Sequence, residues 1–319
     1  MTQLNFVTLD VFTLKAYGGN PLAVVFLPED ESAALTQEQK HIITKEFNLS
    51  ETIFVHPTRD ANKRTIDIFT IECEIPFAGH PTIGAASWFL CLAPEVAAGT
   101  SKVTSLVTKS GEIPISITDA ATKAVSARIA HNTRIHASRL SIKDLLYFHP
   151  SVAPFFGSDA SFPLFSIVNG MSQTFIELPS LEALATVTTA TGGELVPVQD
   201  SQHLDEGWKN GLICVYFFVR DVEDSVTKQK VIRTRMMLGQ FEDPATGSSA
   251  SGLAAYLTLT EGQAGQEYKY HVVQGVEMGR RSDIGVQVSL NQDKAIEEVV
   301  LTGTAVQVSE GKITAPGLE

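Results

Sequence analysis

Runs of alternating or continuous β-branched and aromatic residues predict strands near 4–11, 22–27, 52–56, 64–71, 103–108, 113–118 and 124–131. The second half has the same texture, with strands expected near 163–169, 173–178, 212–219, 230–237, 269–274, 284–290 and 299–308. Glycine-bearing stretches such as SGE (110–112) and SEGK (309–312) read as turns between them. Helical spacing is confined to 36–47, 81–92, 141–147, 180–187 and 244–260. A chain so rich in strands, without β-α-β alternation and with one long apolar helix in each half, predicts an α+β fold. Two lobes follow, each a curved sheet wrapped around a central helix. The boundaries read as 1–122 for the N-terminal lobe, completed by the C-terminal strand at 299–319, and 123–298 for the second lobe.

Two segments resemble each other. HPTIGAASWFL (His80 to Leu90) and DPATGSSASGL (Asp243 to Leu253) both run polar residue, proline, two residues, glycine, then small residues and an apolar helix. From 80 to 243 the spacing is 163 residues, about half the chain, and a diverged duplication accounts for it. Asp is a favoured N-cap and Pro a favoured first helical residue, so a well-capped helix explains either segment taken singly. Gly84 and Gly247 are then expected about one turn inside, where glycine costs about 1 kcal/mol relative to alanine. Close backbone approach, to a ligand or to the facing lobe, would offset that cost. Two helix N-termini with free N–H groups would hold a carboxylate in a cleft between the lobes.

Composition narrows the classes. At 319 residues, with 44% hydrophobic and 19% charged positions, the chain is globular and long enough for two domains. Its 36 acidic against 24 basic residues give a net charge of −12, which repels phosphate backbones and anionic lipid. Nucleic acid and membranes are therefore not expected partners. MTQLNFVTLD does not read as a signal peptide, so the expected compartment is the cytoplasm. Residues 75–94 lack charge over a membrane-span length, but His80, Pro81 and many small residues favour a buried loop and helix. Cys73, Cys91 and Cys214 form no metal-like spacing and read as reduced core residues, so no metal is expected. Nor does any GxGxxG or GxxxxGK[ST] element suggest a dinucleotide or nucleotide cofactor.

Three polar groups could carry chemistry. His80 and Asp243 occupy the matched positions of the two segments. NLSETIFV (Asn48 to Val55) places Ser50, Glu51 and Thr52 between a helix and a strand. It is either a solvated turn or the source of a cleft carboxylate, whose burial would raise the pKa of Glu51 toward the range useful for proton transfer.

Five stretches together resemble the PhzF-like (phenazine biosynthesis-like) family across nearly the whole chain. They are DVFTLKAYGGNPLAVVF, NLSETIFV, EIPFAGHPTIGAA, EDPATGSSASGLAAYL and VVQGVEMGRRSDIGVQV, in that order. The resemblance implies the diaminopimelate epimerase-like fold, a homodimer and a small carboxylate substrate. It also implies cofactor-independent isomerisation by proton movement, as on trans-2,3-dihydro-3-hydroxyanthranilate. By motif, Glu51 would be the general acid/base, with His80, Asp243 and Ser248 as relay and binding groups. Ser50 and the backbone at Gly79, Gly247 and Ser248 would meet the substrate. Diaminopimelate epimerases use cysteines at two helix N-termini, where this chain carries His80 and Asp243, so thiol epimerisation is disfavoured. The family often has Arg-x-Phe-Thr-Pro where Asp67 to Ile71 stand, and a Phe-x-Pro absent from RTRMMLGQF, departures that bear on the cleft wall and the substrate more than on the proton chemistry. A racemase of an amino-acid-like substrate and a non-catalytic binding protein of the same fold remain the alternatives.

Overall fold

In the computed structural model, which describes residues 2–30, 34–58, 60–190, 203–209 and 212–317, the first strand β1 (Gln3–Val11) buries Leu4, Val7, Leu9 and Val11. It pairs antiparallel with β2 (Asn20–Phe26) on one side and with the C-terminal strand Ala305–Thr314 on the other. Helix α1 (Gln37–Phe47) is opened by a capping box between Thr36 and Gln39 and closed by Asn48 at φ +50. The left-handed Asn48 reverses the chain into β3 (Glu51–Val55), parallel to β2. β4 (Lys63–Phe69) runs antiparallel to β3, and the short β5 (Glu74–Ile75) folds back on it. Next comes α2 (Gly79–Ser87), buried at every residue, a π-helical turn Trp88–Leu92 and the short α3 (Pro94–Ala97). β6 (Ser105–Thr108) lies parallel to β4 and starts the meander through β7 (Gly111–Asp119) to β8 (Ala124–Arg128).

The same plan then recurs. β9 (Arg134–Ser141), α4 (Ile142–Phe148) and a 3₁₀ turn Pro150–Phe155 lead to β10 (Ser161–Val168), antiparallel to β9. β11 (Met171–Glu177) is antiparallel to β10, α5 (Leu181–Ala185) follows it, and β12 (Leu212–Glu223) is parallel to β11. β13 (Lys230–Leu238) and β14 (Phe241–Asp243) are antiparallel additions. After α6 (Gly247–Glu261), β15 (Glu267–Gln274) runs parallel to β13 and pairs with β16 (Ser282–Leu290), before β17 (Ile296–Gly303). Contacts divide the chain into two compact units, Met1–Ile129 with Leu301–Glu319, and Ala130–Val300. In each unit one largely apolar helix, α2 or α6, is packed by the unit's own strands. Among the described residues no helix is long and apolar enough to cross a membrane.

Strand register corrects the expected internal match. Ile68 opposite Ile75 and Phe69 opposite Glu74 in the first unit recur as Met236 opposite Asp243 and Met237 opposite Glu242 in the second. EIPFAG therefore lies on EDPATG, 168 residues apart from 74 to 242. His80 corresponds to Ser248, and Asp243 to Ile75, so His80 and Asp243 are not equivalent positions. The proline steps misled because α2 starts at Gly79, before its His-Pro, whereas α6 starts at Gly247, well after Asp243-Pro244. Asp243 ends β14, and the N-cap of α6 is Thr246. Gly247 is the first helical residue rather than one turn inside.

The true repeat pairs Gly84 with Gly252. A Cβ on Gly84 would stand 2.3 Å from Leu22 Cδ2 and 3.0 Å from Val11 Cγ2, so this glycine admits the unit's own sheet, not a ligand or another lobe. Other expectations also shift. The strand expected at 299–308 breaks at Thr304 into two, and SEGK lies inside the C-terminal strand, where Gly311 pairs with Phe6. A Cβ there would approach the Phe6 ring at 3.0 Å. β9 was not anticipated, because most of RIHASRLS is polar and only partly buried.

Candidate active site

In the first unit the site begins with two turns. The β1–β2 connection closes through Gly19 at φ +61, where an added Cβ would stand 2.2 Å from Val11 O, so only glycine fits. That turn sets the buried Asn20 at the head of β2, where its Oδ1 lies 3.4 Å from Ser50 Oγ. Glu51 is the next residue, opposite Leu22 on the neighbouring strand. Its carboxylate Oε2 lies 3.1 Å from His80 Nδ1. A carboxylate can only accept, so Nδ1 carries the proton in this pair.

His80 is the second residue of α2. Pro81 behind it lacks an N–H, which costs nothing in a first helical turn. The ring is 3% exposed, and its other nitrogen, Nε2, is buried without a hydrogen-bond partner among the described residues. A buried unpartnered ring nitrogen costs free energy unless something meets it. Burial pushes the Glu51 carboxyl up, but the hydrogen bond and charge of His80, with Ser50, outweigh it and hold the group below the usual glutamate range. The expected upward shift is therefore reversed. Glu51 is part-buried, and its ionised form is the one favoured beside His80.

The second unit presents Asp243, Gly247 and Ser248. Asp243 is 7% exposed, and its Oδ2 accepts from Thr246 Oγ1 at 2.5 Å. Gly247 and Ser248 form the first turn of α6, which corresponds to the Gly79-His80 turn of α2. Ser50, Glu51, Gly79 and His80 thus come together in one unit, and Asp243, Gly247 and Ser248 in the other. Sequence reasoning missed Asn20, Thr246 and Gln274, although all three stand in stretches it quoted, GGNP, EDPATG and VVQG. Only their side-chain partners mark them.

The profile of the phenazine biosynthesis-like (PhzC-PhzF) proteins matches residues 9–311. The chain belongs to this family. Its PhzF-like relatives include an uncharacterised isomerase of Mesorhizobium japonicum, 30% identical over 98% of this chain and 99% of that protein. Trans-2,3-dihydro-3-hydroxyanthranilate isomerase of Pseudomonas chlororaphis is 29% identical over 97% of this chain and 99% of its own. Among solved structures, a PhzF-family protein of Bacillus anthracis superposes with a TM-score of 0.72 at 20% identity, covering 98% of this chain and 100% of that one. A hydroxyproline epimerase of Agrobacterium vitis shares the fold at a TM-score of 0.60 and 11% identity, over 98% and 92% of the two chains. The chain is a PhzF-like isomerase.

Its cysteines sit away from both helix starts. Cys73 is exposed in the turn before β5, Cys91 lies in the π-helical turn and Cys214 in β12, all as free thiols. The expectation of three core cysteines fails for Cys73, and Cys91 and Cys214 are only part-buried. Burial, with the charge of Asp243, pushes the Cys214 thiol up to about 12. The helix starts carry His80 and Ser248 instead of thiols.

Proposed function

We propose that this PhzF-like protein shifts a proton on a small, cyclic, carboxylate-bearing substrate, with Glu51 as the acid/base and no cofactor. The observation that carries this reading is the Glu51–His80 pair, 3.1 Å apart, with Glu51 part-buried and His80 Nε2 buried without a partner among the described residues. An ionised carboxylate takes a proton from one carbon of the substrate and, as the acid so formed, returns one to another carbon. Atoms balance and the product is an isomer. His80 donates to the carboxylate through Nδ1 and leaves Nε2 for a polar group of the substrate. Ser50 steadies the same carboxylate. Asp243 and the Gly247-Ser248 turn are assigned to the same reaction as a relay and carboxylate-binding group, since free N–H groups at a helix start favour anions.

Trans-2,3-dihydro-3-hydroxyanthranilate is the first compound to test, on the strength of the Pseudomonas relatives. Turnover in deuterated water should place solvent deuterium on a product carbon, and Glu51→Gln should abolish it. A fully active Glu51→Gln protein would overturn the assignment.

A further inference from the structure

The corrected repeat exposes a contrast inside the second unit. Around Asp243 lies a buried polar chain of Tyr216, Thr234, Gln274 and Thr246. The corresponding register positions of the first unit hold Ile53, Ile66, Thr108 and Ala78, with Ile75 in place of Asp243. One unit is nearly apolar where the other is polar throughout. Burying five polar side chains is costly unless each finds partners, and these do.

The bonds have a direction. Gln274 Nε2 donates to Asp243 O at 2.7 Å and to Thr246 Oγ1 at 3.0 Å, while its Oε1 accepts from Thr246 N at 3.3 Å and from Tyr216 Oη at 3.0 Å. An amide nitrogen can only donate, so the Thr246 hydroxyl accepts from Gln274 and must turn its own proton to Asp243 Oδ2. Gln274 also ties both ends of the Asp243–Thr246 turn to β15. Among the described residues, the titratable groups that feel Asp243 include Cys214 and Tyr216 on β12, both pushed up by burial and by the Asp243 charge. Glu242 is bound in both its oxygens by Arg235.

We propose that Thr246 and Gln274 are positioning residues that present Asp243 as an oriented hydrogen-bond acceptor, the hydroxyl of Thr246 being fixed as donor by the amide of Gln274. The inference rests on the proposed role of Asp243 for its functional meaning, but the arrangement can be tested without a substrate. In protein labelled with carboxyl-¹³C aspartate, the Asp243 resonance is assigned by its loss in Asp243→Asn and followed against pH. Thr246→Val should move the titration midpoint of Asp243 up by about one pH unit, because a donor to its charged form is gone. Thr246→Ser should leave it in place. Gln274→Leu, which cannot donate to Thr246 and adds no charge, should move it in the same direction as Thr246→Val. An unchanged midpoint in both Thr246→Val and Gln274→Leu, with native-like spectra, would overturn the proposal. If the midpoints move as expected but Asp243→Asn keeps full isomerase activity, the role of Asp243 in the reaction fails and the positioning stands.

Discussion

His80→Leu removes the interaction on which the Glu51 assignment depends. Leucine fills much of the same volume in a site where the ring is 3% exposed, so Glu51 keeps its part-buried setting but loses the donor 3.1 Å from Oε2. A hydrogen bond to a charged group contributes about 1.5–3 kcal/mol, so ionising Glu51 becomes roughly 10- to 150-fold less favourable at about 1.4 kcal/mol per tenfold. Burial, the largest influence and an upward one, is then opposed only by Ser50. The acid limb of kcat/KM should therefore move to higher pH, with a loss on the order of 10- to 100-fold on that limb. Ser50→Ala should move it the same way by less. The assay is solvent-deuterium incorporation across a pH series, with ¹³C NMR of the Glu51 carboxyl as a substrate-free readout. A folded His80→Leu protein whose acid limb and Glu51 titration match the wild type would refute the reasoning. The stability sign follows from the same shift. A carboxyl held below its unfolded value stabilises the fold above that value, and the contribution is lost as pH falls through the folded one.

Gly84→Ala should destabilise the protein by up to about 2 kcal/mol, because overpacking costs about 1–3 kcal/mol against a helix-propensity gain of about 1. The atoms it would meet, on Leu22 and Val11, belong to fully buried side chains. Gly252→Ala should cost less, since its nearest neighbour at 2.7 Å is the Gln173 amide oxygen, the far end of a longer side chain; urea unfolding that ranks the two in reverse would contradict this. Burial pushes Asp67 up, but His56 and Lys40 together bring it down to about 2. Its carboxylate should thus contribute about 2 kcal/mol above pH 3.8, lost as pH falls toward 2, and Asp67→Asn should flatten the stability–pH curve over that window. An unaltered curve would show the ion pairs to be inert.

Asp67 also clarifies a departure from the family pattern. It occupies the first-unit position that matches Arg235, whose guanidinium grips Glu242 through both oxygens and reaches the carbonyls of Leu184 and Val187. With aspartate there, Glu74 pairs instead with Lys109, and its Oε1 is buried without a partner among the described residues. The sequence showed the missing arginine but not the rearranged pairs, because Lys40, His56 and Lys109 are distant along the chain.

Local chemistry was legible in order and type. Periodicity found most strands and both central helices, and the motifs named Glu51, His80, Asp243 and Ser248 as candidates, because strand alternation, small-residue helices and acid-proline steps are written residue by residue. What tertiary structure decided was equivalence and environment. Proline steps suggested a repeat of 163 residues, but register between strands made it 168 and matched His80 with Ser248. Burial alone argued for a raised Glu51, whereas a histidine 29 residues away reverses the sign. Both outcomes depend on which side chains the folded sheet brings within about 3 Å, the range of a hydrogen bond, and spacing along one chain does not encode that distance.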